Sequence, residues 1–452
     1  MLHTRIDFDR ITGRIKPFHC INNAPLLGTD DRMFAFLKNA GIPFSRLHDT
    51  GGRYGGFCFV DIENIFRDFS ADPDDPAAYD FAFTDWLIKE LVSNGAEPFF
   101  RLGATIENSH RIKAYHIFPP KDNLKWARIC EGIIKHYNRG WANGFRFNIR
   151  YWEIWNEPDN EPDISDNPMW KGTKEQYFAL YETAAVYLKE KFPEIKIGGY
   201  ASCGFYALYE DGFVETANSS SRTGYFIEFF HAFLKYISSP GHRAPLDFFS
   251  WHSYDTAEKN CRSARYVRSE LDRHGFSATE SILNEWNPGT GRRGTEEDAC
   301  YISEMICALH ETPLDMLMYY DGQVHGDYQG LFDPLKHDIF PAYHALSSFN
   351  ELYRLGNEVS CSNSEKRPML AAADGGKGLL LVPNKSDSPL ETELELSNGW
   401  KLNAVRILDG TKGLVRSALS NSGSVHIPPK KIALLEFEKC PPASPKPFVR
   451  AQ

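Results

Sequence analysis

Short apolar runs alternate along the chain with longer stretches whose apolar residues recur at helical spacing, and the pair repeats about every 40 residues. The pattern predicts strands over Arg14–Asn22, Pro43–His48, Glu97–Leu102, Tyr151–Asn156, Lys196–Tyr200, Asp247–Trp251, Ser281–Glu285 and Met316–Tyr320. It predicts intervening helices over Asp31–Asn39, Asp80–Ser93, Leu124–Tyr137, Lys174–Lys191, Gly224–Ile237, Glu258–His274, Glu296–Glu311 and Ala342–Tyr353. The strand runs are apolar on both faces, as strands covered on both sides are. Thr173 ahead of Gln176 and Thr295 ahead of Asp298 read as helix caps. Eight strand–helix units over 14–354 have the size and rhythm of a (β/α)8 TIM barrel. A doubly wound open sheet would bring a glycine-rich phosphate turn after its first strand, and Cys20-Ile-Asn-Asn-Ala-Pro25 has no glycine.

Beyond the eighth unit the period shortens. Glycine, serine and asparagine punctuate the runs Met369–Ala373, Gly378–Val382, Glu391–Leu396, Leu402–Leu408, Ser424–Ile427 and Ala433–Phe437. These predict a smaller C-terminal antiparallel β-sandwich over 355–440, to which Ile6–Phe8, within 1–13, adds an edge strand. The proline-rich tail 441–452 is expected to fray. The predicted fold class is α/β, a TIM barrel followed by a sandwich.

Composition narrows the partners. A length of 452 residues suits one large domain and a smaller one. The net charge of −10, with no dense Lys/Arg run, argues against a nucleic-acid partner and an anionic membrane surface. No apolar run is long enough to span a bilayer. Nine cysteines at irregular spacing, with no Cys-x-x-Cys pair, read as reduced thiols. The start Met1-Leu-His-Thr-Arg-Ile-Asp has no leader-like apolar run. The expectation is a cytoplasmic protein, and the sequence leaves room for a homo-oligomer. The aromatic share of 14% is clustered, which fits an oligosaccharide or glycoside ligand as well as plain core packing.

The chemistry sits in two segments. Tyr151-Trp-Glu-Ile-Trp-Asn-Glu-Pro-Asp159 is an apolar strand that ends in Glu157 and is stopped by Pro158. Ser281-Ile-Leu-Asn-Glu-Trp-Asn287 ends likewise in Glu285, ahead of Pro288. Catalytic residues of a barrel project from the carboxyl ends of its strands, and strands four and seven lie on opposite sides of the mouth. Two carboxylates across a cleft suit glycosidic chemistry, where one donates a proton and the other attacks the anomeric carbon. Glu153 is read as a buried partner for Arg46, and Asp49 and Glu107 as solvated loop acids. Trp155, Trp251 and Trp286 are read as sugar platforms. No His-x-x-x-His pair or cysteine cluster favours a metal, and no Gly-x-Ser-x-Gly elbow favours a serine nucleophile. No metal and no organic cofactor are expected.

Trp155-Asn156-Glu157-Pro158-Asp159, with Glu285-Trp286-Asn287 downstream, resembles glycoside hydrolase family 39, the β-xylosidases and α-L-iduronidases among the retaining barrel glycosidases. The resemblance implies Glu157 as acid/base, Glu285 as nucleophile, and Asn156 on the sugar 2-hydroxyl. Arg46-Leu-His48 resembles the family's strand-two Arg-x-His, which implies His48 on sugar hydroxyls and Arg46 supporting the nucleophile. His252-Ser-Tyr254 resembles its strand-six His-x-Tyr, which implies both residues flank the nucleophile. Asn284 departs from the threonine common before Glu-Trp-Asn, and 203–220 and 321–340 match no family pattern. The implied activity is an exo-acting β-xylosidase. The alternatives are an α-L-arabinosidase, a galactosidase-like exo-enzyme, an endo-acting polysaccharide hydrolase, and an iduronidase-like enzyme using Arg292-Arg293 to bind a uronate. A carbohydrate-binding protein without catalysis and a structural scaffold are the non-enzyme readings.

Overall fold

The computed structural model describes residues 1–25, 28, 32–52, 56–106, 116–211, 221–324, 328, 330–418 and 424–440. Eight parallel strands close into a barrel: Cys20–Asn22, Phe44–Leu47, Glu97–Leu102, Tyr151–Ile154, Lys196–Ser202, Phe248–His252, Glu280–Trp286 and Met316–Tyr320. They follow one another around the barrel in chain order, and the eighth pairs with the first through Met318 opposite Cys20. Every residue from Phe44 to Leu47 and from Tyr151 to Ile154 is buried, as a two-sided cover requires. The Thr173 hydroxyl accepts from the Gln176 N–H while Gln176 Oε1 accepts from the Thr173 N–H, so the predicted capping box forms.

The period-two alternation stacks the barrel interior in layers. Phe44, Phe99, Tyr151, Phe248, Ile282 and Met316 form an apolar floor. Its rings meet edge-on or offset, with Phe44–Tyr151 centroids 5.5 Å apart and Phe99–Phe248 5.1 Å apart. Each such pair adds about 0.5–1.5 kcal/mol beyond area burial. Two residues further along, the same faces carry Arg46, Glu153 and Asn284, all fully buried. The chain therefore builds a polar layer on an apolar plug, with the mouth above it.

A second sheet has nine strands. In spatial order they are Leu414–Ser417, Trp400–Leu408, Lys431–Lys439, Lys377–Asn384, Leu370–Ala373, Asn357–Asn363, Leu2–Arg14, Leu390–Leu396 and Ser424–Ile427. One face, with Leu379, Leu381, Ile432 and Leu434, joins the barrel core beside helices Glu296–His310 and Pro341–Leu355. The other, with Ile6, Phe8, Leu380, Val382, Ala433 and Leu435, forms the sandwich core. Lys430–Glu297 at 2.9 Å and Arg406–Glu351 at 2.7 Å tie sheet to helices.

Three expectations change. The N-terminal strand is interior rather than an edge, pairing antiparallel with Asn357–Asn363 and parallel with Leu390–Leu396. The strand predicted over Arg14–Asn22 divides. Arg14 ends the sandwich strand and Cys20 begins the barrel strand, because Pro17 between them lacks an N–H for either ladder. Strand Asn357–Asn363 escaped prediction because it is too polar to show alternation, Val359 being its one fully buried residue, and Leu414–Ser417 because four residues are too few to show it. The tail 441–452 and Glu107 lie outside the described residues. No helix among the described residues is long and apolar enough to cross a membrane.

Candidate active site

The fourth strand stops at Ile154, and the chain turns upward through two left-handed residues, Trp155 (φ 75°) and Glu157 (φ 46°). Such backbone in non-glycine residues costs on the order of 1–3 kcal/mol and gathers at functional sites. The turn is pinned by the Trp155 N–H to Leu102 O at 2.7 Å and the Glu157 N–H to Tyr200 O at 3.1 Å. Gly103 (φ 146°) lets the third strand's end pass beneath it, since a Cβ there would lie 3.1 Å from Trp155 Cα. Glu157 is thereby aimed across the mouth, and Asn156 downward, where its Oδ1 accepts from Arg46 Nη2 at 2.5 Å.

Arg46 organises the layer below. Its Nε donates to Glu153 Oε2 at 2.7 Å, and its Nη1 reaches Glu285 Oε2 at 3.4 Å. Asn284 Nδ2 donates to the other Glu153 oxygen at 2.6 Å. The asparagine that departs from the family's threonine thus completes the buried Arg46–Glu153 pair. A buried charge needs such partners, because taking it from water costs several kcal/mol.

Glu285 is 8% exposed at the end of the seventh strand. Its Oε1 accepts from the Tyr254 hydroxyl at 2.6 Å. His252 stands between the two glutamates, with Nδ1 2.7 Å from Glu157 Oε1 and Nε2 3.5 Å from Glu285 Oε2. Carboxylate oxygens of Glu157 and Glu285 and a His252 nitrogen all lie within 4.8 Å of one another. Asn160 Nδ2 donates to Glu157 Oε2 at 2.8 Å.

The three groups titrate together. Burial works against a charged His252, but the Glu285 and Glu157 carboxylates outweigh it and raise the imidazole above its usual value. Burial likewise opposes ionised Glu157, yet the His252 hydrogen bond and charge bring its carboxyl below the usual range. Burial pushes Glu285 up, against the pull of His252, Arg46 and Tyr254. The rise at His252 and the fall at Glu157 thus share one cause, the hydrogen bond and opposite charge that join them.

His48 lies on the opposite flank. Burial, reinforced by Arg46 and Arg101, holds it well below its usual value and so neutral. Its carbonyl accepts from Arg101 Nη2 at 2.9 Å, and Arg101 also bonds Asp61 at 2.6 Å.

Some expected residues sit elsewhere. Trp155 and Trp286 are 2% and 0% exposed. Trp155 packs edge-on against Trp170 and donates Nε1 to Met169 O at 2.8 Å, and Trp286 packs against Tyr319. Trp251 is also fully buried, with Nε1 3.2 Å from Ser281 Oγ. None of the three offers a face to a sugar. Arg292 lies over the Tyr301 ring, 3.8 Å from its centroid, and donates to Pro288 O. Sequence reading missed Asn160, Asp159 and Tyr320. Only Asn160 carried a signal, its place one turn after Glu157.

Two groups among the described residues bring donors close enough for a metal ion: Glu157, His252 and Glu285, and Asp61, Glu63 and His116. In the first, His252 already bonds Glu157, and Arg46 already supplies positive charge beside Glu285. In the second, Asp61 is committed to Arg101 and Thr105.

A (β/α)8 barrel whose strand-end glutamates face each other over a histidine and a buried arginine is built for sugar chemistry, and the class is glycoside hydrolase. A profile described as "Glycosyl hydrolases family 39" matches residues 44–284. A Beta-xylosidase of Caldicellulosiruptor saccharolyticus is 25% identical over 381 residues, covering 75% of this chain and 70% of that protein. The crystal structure of a glucosidase from Croceicoccus marinus superposes with a TM-score of 0.73 at 20% identity, over 98% of this chain and 100% of that one. A monomeric beta-xylosidase from Caulobacter crescentus CB15 superposes with a TM-score of 0.64 at 17% identity, over 96% and 99%. The chain belongs to glycosyl hydrolases family 39.

Proposed function

We propose that this glycoside hydrolase removes a terminal sugar with retention of configuration, and that a β-xyloside is its first substrate. The observation that carries the mechanism is the short gap between Glu157 and Glu285, whose facing oxygens lie within 4.8 Å. Retaining enzymes hold their carboxyl groups about 5–5.5 Å apart, whereas inverting ones leave about 6.5–9.5 Å for a water.

In the first step Glu285 attacks C1, the glycosidic C1–O bond breaks, and Glu157 gives its proton to the leaving oxygen. In the second, water attacks C1, Glu157 takes a proton from it, and Glu285 leaves. Tyr254 and Arg46 surround Glu285 with donors and hold it as the anion that attacks. His252 Nδ1 lies 2.7 Å from Glu157 Oε1, and in this reading it relays the proton that Glu157 gives to the leaving oxygen. Asn156, whose Oδ1 accepts from Arg46, takes the sugar 2-hydroxyl in this reading.

The β-xylosidase among the relatives supports the xyloside. The packing of Arg292 on Tyr301 argues against an iduronidase-like subsite built on that residue. The test is turnover of a nitrophenyl panel (β-xyloside, α-arabinosides, β-glucoside, β-galactoside) by wild type, Glu157→Ala and Glu285→Ala. The proposal expects Glu285→Ala to abolish turnover and azide to rescue Glu157→Ala in part. Magnetic resonance of the first-formed product should show the retained anomer, and the inverted anomer would overturn the mechanism.

A further inference from the structure

The phenol that bonds the nucleophile stands on backbone with no strand partner. The sixth strand ends at His252, so Tyr254 lies past the last ladder bond. It is 38% exposed, and burial does little to fix where its hydroxyl points. Hydrogen bonds hold the segment instead. The Ser253 N–H donates to Glu285 O at 3.0 Å, and the Tyr254 N–H donates to the Tyr206 hydroxyl at 3.0 Å. Tyr206 belongs to 203–220, a stretch that matches no family pattern.

The chain makes Tyr206 a rigid support. It opens the 3-10 turn Tyr206–Tyr209, which follows the fifth strand. Phe205 ahead of it is 1% exposed, its ring edge-on to Phe230 at 5.2 Å and to Trp251 at 5.8 Å. At the far end the Tyr209 hydroxyl donates to Lys259 O at 2.6 Å. Gly204, with φ 120°, lets the turn close on the sixth strand. A Cβ there would lie 2.6 Å from His252 O and 3.1 Å from Tyr206 Cε2. The turn therefore packs against the strand end that carries both His252 and Tyr254. Other groups act on Glu285: His252, Arg46 and Glu157, with Tyr320 and Asp321 at the end of the eighth strand. Tyr320 is committed elsewhere, its hydroxyl donating to Asp49 Oδ2 at 2.5 Å. Asp49 itself, expected as a solvated loop acid, is largely buried, its side chain 16% exposed. Tyr254 is thus the phenol that serves Glu285.

Resting on the glycosidase reading above, we infer that Tyr206 is a positioning residue for the nucleophile. Its hydroxyl takes the Tyr254 N–H and so holds the Tyr254 phenol on Glu285. Without that acceptor the backbone of Tyr254 turns to water, and the phenol spends less time on the carboxylate. Loss of one neutral hydrogen bond should lower kcat roughly 2- to 10-fold.

The experiment is a double-mutant cycle of Tyr206→Phe and Tyr254→Phe, read as kcat and kcat/KM against pH on the best nitrophenyl glycoside. Tyr206→Phe keeps the ring that packs over Gly204 and removes the acceptor alone. It should lower kcat by the factor above and move the acid limb to higher pH, the direction in which Tyr254→Phe moves it. In the Tyr254→Phe background it should change neither, because the phenol it positions has lost its hydroxyl. An unmoved acid limb in the single variant would overturn the inference, as would equal losses in both backgrounds. If wild type turns over no glycoside, the glycosidase reading fails by itself. Carbon-13 magnetic resonance of protein labelled at its glutamate carboxyls then decides, with the Glu285 signal assigned by its loss in Glu285→Gln. A higher Glu285 pKa in Tyr206→Phe than in wild type supports the inference, and an equal one overturns it.

Discussion

The Tyr254 hydroxyl sits 2.6 Å from Glu285 Oε1, and nothing comparable touches Glu157 from that residue. This bond favours the ionised form of Glu285 and offsets part of the rise that burial imposes. Tyr254→Phe should therefore raise the carboxyl's pKa and move the acid limb of the kcat/KM profile to higher pH. The proposal expects kcat to fall roughly 10-fold or more, the cost of one charge-assisted hydrogen bond. An unmoved acid limb in the variant would contradict the nucleophile assignment.

His252 should set the alkaline limb. Its pKa is raised above the usual 6.5 because both glutamates face it, and the proposed mechanism has it relay the proton to Glu157. Activity should fall as pH rises through that raised value, and His252→Gln should remove the limb along with most of kcat. The sign for stability is the same. A histidine with a raised folded pKa contributes fully below about 6.5 and loses that contribution as pH climbs through the folded value. Profiles of kcat/KM and of Tm against pH check both.

The Arg46–Glu153 pair is fully buried, so breaking it from one side leaves a charge alone in the barrel. Arg46→Met should destabilise the fold by about 3–5 kcal/mol, and Arg46→Met with Glu153→Gln should recover much of the loss. Urea denaturation of the single and double variants measures this. Neither should regain activity, because Asn156 and Glu285 lose their donor as well.

Asp159 is buried behind Glu157, where Ser202 Oγ donates to it at 2.8 Å. Burial, with the charge of Glu157 adding, raises its carboxyl from 3.8 to about 7. Between those values the folded chain holds a proton that the unfolded chain has released, so stability falls as pH rises from 3.8 towards 7. The loss is at most about 4 kcal/mol. Asp159→Asn keeps an acceptor for the Cys203 N–H and should flatten this fall. Tm measured at pH 5 and pH 8 should differ less in the variant than in wild type.

Much of the barrel was legible because its strands are short apolar runs bounded by turn residues, and period decides such elements locally. The predicted strand over Glu97–Leu102 and helix over Lys174–Lys191 match the observed ones end to end. The sandwich was less legible. The strand Asn357–Asn363 is held by pairing with Leu2–Arg14, some 350 residues away in sequence, and its own composition says little. The tryptophans misled because a strand-end ring looks the same in sequence whether it faces a sugar or a neighbouring helix.

The sequence by itself determined that the fourth and seventh strands would lead into Glu157 and Glu285, and hence that two glutamates would share one barrel mouth. It determined that Arg46 and Glu153 would point into the barrel, since side chains two apart on a strand share a face. Only the tertiary structure decided the distances. The 2.7 Å bond of His252 to Glu157, the Asn284 bond to Glu153 and the Tyr320 bond to Asp49 all join strand ends far apart in the chain. No local propensity encodes such contacts. They arise when closure of the barrel fixes where eight strand ends stand relative to one another, and burial there sets what each charge costs.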